Sequence, residues 1–478
     1  MTISDDVLFS GLAALSKALR ARELSPVALA EACLERLERR GPALGCVVTL
    51  TRERALAEAR AAEAELAGGR WRGPLHGIPY GLKDLVDTEG IRTTFGAAPY
   101  ADRVPARDAT VARRLRDAGA VLVAKLSMVE LAGGLGYHTG QAALNGPCRT
   151  PWDPARWAGG SSSGSASAVA AGLVPFAIGS ETWGSITCPS AFCGVTGLRP
   201  TYGLVSRHGA MALSWSMDKL GPIARSAEDC ARVLAAIAGV DPRDPSTLPP
   251  PAGLERVKPE VVAGLRVAVL PMPAKRPVGE ATERAWSEAQ QVFADAGALL
   301  APAELPALPF EPLASFFIEA EAATAFEELI RSGRTKQLAD RSHQEKSPGD
   351  YLPKGNPSDY VRAMRVRGEL QRQLVGFFER YDLVLAPNLP YPPPRVEEDF
   401  DPLFDFPDPL GAAGNLAGLP AVALPMGFSG GLPVSLQLVG APLEEVRLLS
   451  AAALFQARTA HHQARPPAGP AVASVTKW

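Results

Sequence analysis

The sequence predicts an α/β fold in which short buried strands alternate with helices. Three observations support this prediction. Short apolar runs broken by glycine begin at Gly73, segments with helical periodicity lie between them, and the composition is ordinary for a globular protein. The 478 residues are 46% hydrophobic and 21% charged, which suffices for a large core. Because no internal repeat is found, we expect one compact unit, although length alone suggests about three domains.

Two helices are predicted before the first strand. Residues 25–40 begin with Ser25 as a candidate N-cap and Pro26 at the first helical position, and apolar residues then recur every four positions. The alanine-rich, charged residues 52–66 predict a second helix that is largely exposed. Residues 1–70 are therefore predicted to form a helical N-terminal part.

Strands and helices alternate along the rest of the chain. The predicted strands are residues 77–85, 121–125, 265–270, 381–386 and 433–440, and the predicted helices are residues 110–118, 279–296, 314–331 and 443–457. The proline-rich residues 240–260 predict a linker or a long surface loop. The polar, irregular residues 334–358 predict a mobile loop.

Charge and hydropathy exclude several classes of function. The 49 basic and 51 acidic residues give a net charge of −2, which argues against binding to nucleic acid or to an anionic membrane. The N-terminus lacks the basic and apolar segments of a signal peptide. The most apolar stretches, residues 166–179 and 416–428, are short and broken by glycine or proline. We therefore expect a soluble protein of the cytoplasm.

The cysteines do not indicate a disulfide framework or a metal site. Six cysteines in so long a chain are too few for a disulfide scaffold. Cys188 and Cys193 lie close together, but no second Cys/His pair accompanies them at ligand spacing. We expect both to be small core residues, and we expect no metal and no other cofactor.

The stretch of small residues 157–172 allows three interpretations. A phosphate-binding loop would need a lysine directly after Gly164, and none is present. Residues 160–164 match the Gly-x-Ser-x-Gly pattern of a nucleophile elbow, but that motif follows a strand, and residues 150–156 contain two prolines. The third interpretation is structural, since glycine and serine allow close packing at a helix start. Taken alone, the stretch favours this third interpretation.

Further segments change that interpretation. Residues 76–84 (HGIPYGLKD) precede the stretch, and residues 179–203 (GSETWGSITCPSAFCGVTGLRPTYG) follow it. Together with residues 157–172 they closely resemble the amidase signature family of serine hydrolases. Residues 415–420 and 431–440 look like the C-terminal segments of that family, so the resemblance runs nearly from end to end. It implies a single-domain α/β/α sandwich with a mixed central sheet covered by helices, and a catalytic core at residues 73–235 followed by residues 240–478.

The resemblance also implies a Ser–Ser–Lys triad. Ser185 stands where the family has its nucleophile, Lys83 where it has its base, and Ser161 where it has a bridging serine that follows a cis peptide bond. The positions that match the oxyanion-hole loop, whose backbone N–H groups bind the oxyanion, are Thr182, Trp183, Gly184 and Ser185.

Elementary chemistry is consistent with these roles. A serine hydroxyl attacks a carbonyl only when a base removes its proton, and a lysine becomes such a base when burial keeps it neutral. A hydroxyl both donates and accepts, so Ser161 is able to relay the proton. Asp84 adjoins Lys83 in sequence, but adjacent residues of a strand point to opposite faces.

The substrate prediction depends on departures from the family pattern and on the predicted cleft. Trp183 replaces a glycine that many members have, and Ser163 replaces another. The candidate substrate-binding residues are Trp183, Leu131, Gly133, Tyr137 and Trp215. Since their surroundings are mostly apolar, we expect apolar or aryl amides as substrates, with carbamates, urethanes and esters as further possibilities.

The sequence thus predicts a self-sufficient amidase, either a monomer or a homodimer. Two other classes stay open. One is the A-type subunit of a tRNA-dependent amidotransferase, which takes glutamine within a complex. The other is a non-catalytic scaffold of the same fold, which is disfavoured because all three triad positions are filled.

Overall fold

The computed structural model describes residues 3–136, 138–140, 144–259, 262–273, 277–352, 355–400 and 408–467. These residues form one eleven-stranded sheet with helices packed against it. The strands are β1 (Val47–Leu50), β2 (Pro79–Lys83), β3 (Val121–Leu126), β4 (Phe176–Glu181), β5 (Thr196–Arg199), β6 (Lys219–Ala224), β7 (Arg266–Val269), β8 (Leu299–Pro302), β9 (Leu383–Asn388), β10 (Ala421–Ser429) and β11 (Leu432–Val439).

The described helices are distributed along the whole chain. They are α1 (Asp5–Leu8), α2 (Leu12–Arg20), α3 (Pro26–Leu44), α4 (Arg52–Ala67), α5 (Thr110–Asp117), α6 (Ser163–Ala170), α7 (Thr187–Cys193), α8 (Ala227–Ile237), α9 (Glu280–Asp295), α10 (Phe310–Ala325), α11 (Glu327–Arg331), α12 (Ser342–Glu345), α13 (Pro357–Arg380), α14 (Pro409–Ala417) and α15 (Glu445–Thr459). Among the described residues, none of these helices is long and apolar enough to cross a membrane.

The sheet is mixed and its strands follow the order β1-β3-β2-β4-β6-β5-β10-β11-β9-β7-β8. Strand β2 runs parallel to both β3 and β4, and β7 runs parallel to both β8 and β9, whereas the other neighbours are antiparallel. Every residue of β2 to β6, β9 and β11 is buried, so helices cover both faces of the sheet. The prediction of a mixed sheet covered by helices is confirmed.

The parallel pair β2–β4 positions the candidate site. Leu82 lies opposite Ile178, and both strands end at the same edge of the sheet because they run in the same direction. Lys83 is the last residue of β2, and Glu181 is the last residue of β4. In an α/β sheet this edge is where ligands usually bind.

Most predicted elements are confirmed within a few residues. Ser25 caps α3, where its side chain accepts the N–H of Ala28 at 3.1 Å, and Pro26 is the first residue of that helix. The five predicted strands correspond to β2, β3, β7, β9 and β11. Helix α4 is less exposed than predicted, because Ala55, Ala59 and Leu66 bury one of its faces.

Several segments differ from the prediction. Residues 314–331 form two helices, α10 and α11, which are divided at Phe326. Six of the eleven strands of the described sheet, β1, β4, β5, β6, β8 and β10, were not predicted, and neither was the 24-residue helix α13. Residues 334–358, predicted as an irregular loop, contain the short helical turns Arg334–Gln337 and Pro348–Tyr351 as well as α12.

This 334–358 segment is attached to the loop after β3. The carboxylate of Glu130 accepts the N–H groups of Ala339 at 2.8 Å and Asp340 at 3.3 Å. The carboxylate of Asp340 in turn accepts the N–H of His138 at 2.7 Å. The mobility of the segment stays a prediction.

Candidate active site

Lys83 is surrounded by serine hydroxyls. Its Nζ atom lies 2.8 Å from Ser161 Oγ, 2.9 Å from Ser162 Oγ and 2.9 Å from Ser180 Oγ. The side chain is 0% exposed. The structure therefore brings together two of the three predicted triad residues, Lys83 and Ser161.

Ser162 and Ser180 were not predicted as site residues. The Ser162 hydroxyl donates to the carbonyl of Ser180 and accepts its N–H, each at 3.1 Å. This reciprocal pair joins the start of α6 to the end of β4 and holds two hydroxyls against Lys83. No local pattern points to Ser180, whose partner lies 97 residues away.

Burial lowers the pKa of Lys83 well below its usual range, and the negative charges of Asp218 and Glu181 only partly oppose this shift. The neighbouring Asp84 does not pair with it. Asp84 points to the other face of the sheet, where its carboxylate lies 3.3 Å from Lys125 Nζ. Lys83 is thus buried among neutral hydroxyls, which favours the free amine.

Ser185 lies in the short connection between β4 and α7. It is 9% exposed, and its carbonyl accepts the N–H of Ser162 at 3.2 Å, which places it beside the Ser161–Ser162 pair. All three predicted triad residues therefore belong to one neighbourhood at the edge of the β2–β4 pair.

A buried carboxylate fixes the chain after Ser185. Glu181 accepts the N–H groups of Ile186 at 2.9 Å and Thr187 at 3.0 Å, and it pairs with Arg199 at 2.8 Å. Burial alone would raise the pKa of Glu181, but Arg199 and these hydrogen bonds lower it to about 2. Glu181 is therefore a charged structural residue that holds the start of α7.

The predicted oxyanion loop has backbone donors available. Gly184 has a φ of 79°, a conformation that favours glycine, and nothing lies within 4 Å of the position its Cβ would take. Among the described residues, the N–H groups of Trp183, Gly184 and Ser185 have no hydrogen-bond acceptor. Thr182 anchors the loop, since its hydroxyl donates to Asp218 at 2.6 Å.

The small-residue stretch serves close packing as well as the site. A Cβ at Gly164 would lie 2.5 Å from backbone atoms of Cys46 and Ser127, so α6 begins against the backbone. The Gly160–Ser161 peptide bond is cis, as the resemblance implied. Residues 150–156 form turns and no strand, which agrees with the argument against a nucleophile elbow.

Trp183 points away from the lysine. Its indole N–H donates to Asp408 Oδ2 at 2.8 Å, and its ring packs against an apolar cluster that includes Phe310 and Leu410. Burial raises the pKa of Asp408 to about 6, although the Trp183 N–H opposes the shift. Asp408 also lines a cavity of about 440 Å³ at the ends of β7 and β9. The indole of Trp183 thus links the loop that carries Ser185 to Asp408, a residue that lines this cavity.

The other predicted substrate-binding residues have different environments. Leu131 is buried in the main core, and Gly133 belongs to a helical turn, Glu130–Gly133. Trp215 is exposed and lines a cavity of about 30 Å³ together with Ser180 and Thr182. Tyr137 lies outside the described residues.

No cluster of three or more metal-ligating side chains occurs in the described part of the chain. The six cysteines are free, and all but Cys188 are buried. Burial raises the pKa of Cys188 to about 12, so its thiol is protonated at neutral pH.

The sequence pattern of the amidase family matches residues 28–449. The chain belongs to this family. Among curated relatives, this amidase-family protein is 39% identical over 483 residues to the A-type subunit of the glutamyl-tRNA(Gln) amidotransferase from Moorella thermoacetica, a match covering 95% of this chain and 98% of the relative.

Solved structures of the same family share its fold. The peptide amidase of Stenotrophomonas maltophilia superposes with a TM-score of 0.84 at 32% identity, covering 96% of this chain and 98% of that one. A bacterial aryl acylamidase superposes with a TM-score of 0.83, covering 97% of this chain and 99% of that one. Its identity of 23% supports the fold alone.

Proposed function

We propose that this protein hydrolyses carboxylic amide bonds through an acyl-enzyme on Ser185, with Lys83 as the base and Ser161 as the proton relay. The observation that carries the proposal is the buried Lys83 amine, 2.8 Å from Ser161 Oγ, with no carboxylate at salt-bridge distance among the described residues. Burial of this amine favours its neutral form, which accepts a proton.

The reaction begins when Lys83 takes the proton of Ser161, which takes that of Ser185. Ser185 Oγ then attacks the carbonyl carbon, and the developing oxyanion binds the backbone N–H groups of residues 182–185. One such donor contributes about 3–4 kcal/mol to transition-state stabilisation.

The same proton then assists the leaving group. The Lys83 ammonium returns it through Ser161 to the amide nitrogen, the C–N bond breaks, and an amine and the Ser185 ester remain. Water attacks the ester with Lys83 again as base, which releases the acid and restores the serine.

We propose apolar or aryl amides as the substrates, with carbamates, urethanes and esters cleaved by the same steps. The mostly apolar lining of the larger cavity supports this proposal, and so do the apolar residues of the smaller one, which also contains Arg207, Asp218 and Lys219. The larger cavity is lined mostly by leucine, proline, phenylalanine and methionine, and the smaller one contains Met211, Leu213 and Trp215.

A second candidate is glutamine as the amide donor of an A-type amidotransferase subunit. The identity of 39% over 95% of the chain supports this candidate, and the sequence relatives favour it over aryl amides. The two candidates share the chemistry at Ser185 and differ in the substrate and in the need for a partner.

A hydrolysis screen of the purified chain tests both candidates. The probes are glutamine, an aliphatic primary amide, an anilide, an aryl carbamate and an ester. We expect turnover of the aryl amides by the wild type and none by Ser185→Ala. Ser190→Ala is the matched control, since its buried hydroxyl has no partner among the described residues and its loss should leave turnover intact.

Four results would contradict the proposal. An active Ser185→Ala variant would show that Ser185 is not the nucleophile. An inactive wild type would show that the chain is not a self-sufficient amidase. Glutamine turnover above that of every aryl probe, or activity that appears only with co-purified partners, would establish the second candidate instead.

A further inference from the structure

We infer that Trp215 is the surface on which an aromatic leaving amine of the substrate lies, so that the preferred amides are those of aryl amines. This inference rests on the proposed function. It adds which side of the scissile bond carries the ring and which side chain receives it.

The indole of Trp215 is unusually accessible for its size. The residue is 64% exposed, although burying a tryptophan side chain is strongly favourable. It also lines a small cavity together with Thr182 and with Ser180, whose hydroxyl lies 2.9 Å from Lys83 Nζ, so the exposed ring lies near the candidate site.

The backbone on both sides of Trp215 is held in place. The carboxylate of Glu321 accepts the Ser214 hydroxyl at 2.6 Å, the Ser216 hydroxyl at 2.7 Å and the Ser216 N–H at 2.9 Å. Arg367 donates to the Ser216 hydroxyl at 2.7 Å and to the Ser216 carbonyl at 2.8 Å. Because α10 and α13 supply these contacts, little ordering remains for a ligand to impose on this loop.

The indole itself is supported from behind by Arg207. The guanidinium lies 4.8 Å from the centre of the Trp215 ring and 4.8 Å from that of Tyr202, and it donates to the Trp215 carbonyl. Arg207 is buried and lies 3.6 Å from Asp244, so it is fixed as well. One side of the indole therefore contacts a fixed cation, and its exposed part is available for a planar ring.

The position of Trp215 determines which half of the substrate it receives. Ser180 lies at once in the Trp215 cavity and 2.9 Å from Lys83 Nζ. In the proposed reaction the leaving nitrogen takes its proton from the Lys83–Ser161 relay, so the leaving amine lies on that side. Trp183, by contrast, donates its indole N–H to Asp408, which lines the larger cavity. The ring on the nitrogen thus lies on Trp215, and the acyl group extends towards Trp183.

Two matched pairs of substrates test this assignment. One pair is the anilide and the N-butyl amide of one aliphatic acid, and the other is the N-butyl amides of an aryl and an aliphatic acid. We expect Trp215→Ala to lower kcat/KM for the anilide about tenfold, which is the size expected for one lost aromatic contact. The kcat/KM values for the N-butyl amides of both kinds of acid should stay nearly unchanged. Trp215→Phe should retain most of the anilide activity.

Trp71→Ala is the matched control, because Trp71 is also exposed, at 40%, and also has an arginine, Arg20, 4.5 Å from its ring centre. It should leave all probes unchanged. The inference is wrong if Trp215→Ala lowers kcat/KM equally for the anilide and the N-butyl amides. It is also wrong if the variant lowers kcat/KM only for the amide of the aryl acid. In both cases the proposed function stands. A wild type that cleaves no amide overturns both.

Discussion

At the scale of single residues, the proposed chemistry depends on the protonation of the Lys83 amine. Burial lowers the pKa of Lys83 well below its usual range, so the neutral amine becomes the main form as pH rises through that lowered value. We expect kcat/KM for an amide to rise with pH to a plateau, with its inflection well below the ordinary lysine pKa of about 10.4.

Lys83→Ala removes this amine and therefore tests its role as the base. It should lower amide hydrolysis by several orders of magnitude and ester hydrolysis by less, because an alkoxide needs less protonation than an amine when it leaves. Initial rates measured from pH 5 to 10 on both substrates check the prediction. A rate maximum near pH 5, or near-normal amide turnover in the variant, would contradict a lysine base.

The sequence predicted candidate reacting residues but not the groups that hold them. Lys83, Ser161 and Ser185 lie within three recognisable motifs, so a resemblance was enough to propose them. Ser180 and Asp408 were missed because their contacts join distant parts of the chain: Ser180 meets Lys83, and Asp408 meets Trp183 across 225 residues. Spacing along a chain carries no signal for such contacts.

At the scale of elements, five strands were predicted within a few residues, whereas the apolar strand β10 and the helix α13 were missed. Its first turn carries a readable signal, since Asn356 and Asp359 form a capping box around Pro357. The helix starts inside the polar residues 334–358, and its polar face resembles a loop when composition alone is considered. Helix-start chemistry was therefore the better guide at this position.

The contact between Glu130 and the 334–358 segment gives a prediction at the same scale. Burial raises the pKa of Glu130 to about 7, and the charge of Asp340 adds to the shift, against about 4.3 for an unfolded chain. At a pH between these two pKa values, the Glu130 carboxyl is protonated in the folded state and ionised in the unfolded state. This contribution to stability is present below about pH 4 and is lost as pH rises through 7.

Glu130→Gln removes that titration and keeps an acceptor for the Ala339 N–H. From pH 4.5 to 8, the free energy of unfolding of the wild type should fall relative to the variant by about 3 kcal/mol. Urea unfolding at four pH values measures the difference, and Glu345→Gln, an exposed change in the same segment, is the control. A difference that is constant with pH would disprove the titration.

At the scale of the whole molecule, the sheet contains three buried lysines that differ in their partners. Lys125 has Asp84 at 3.3 Å. Lys219 donates to the carbonyl of Met217, and no carboxylate of the described residues lies within 4 Å of its Nζ atom. Burial, together with repulsion from Arg199, lowers the pKa of Lys219 well below its usual range.

A lowered lysine pKa means that the unfolded state holds a proton which the folded state has lost. Stability therefore rises with pH between the folded value and about 10.4, and it falls as pH decreases through that window. We expect Lys219→Met to raise the free energy of unfolding at pH 7 by about 1–3 kcal/mol and to flatten this pH dependence.

Lys125→Met is the contrasting variant. It leaves Asp84 buried without its cation and should destabilise the fold by about 3–5 kcal/mol. Chemical denaturation of both variants across pH 6 to 10 checks the pair. Equal effects of the two substitutions on the free energy of unfolding would show that the partner of a buried lysine does not determine its contribution to stability.

The hydrogen bond from Asn415 to Glu181, 3.1 Å long and spanning 234 residues, has a consequence for biosynthesis. During translation, Lys83, Ser161 and Ser185 leave the ribosome long before Asn415 does. Until then, the carboxylate that holds the start of α7 lacks one of its donors, and the helix that carries Asn415 does not exist. A nascent chain therefore completes the support of the loop that carries Ser185 only when α14 has left the ribosome.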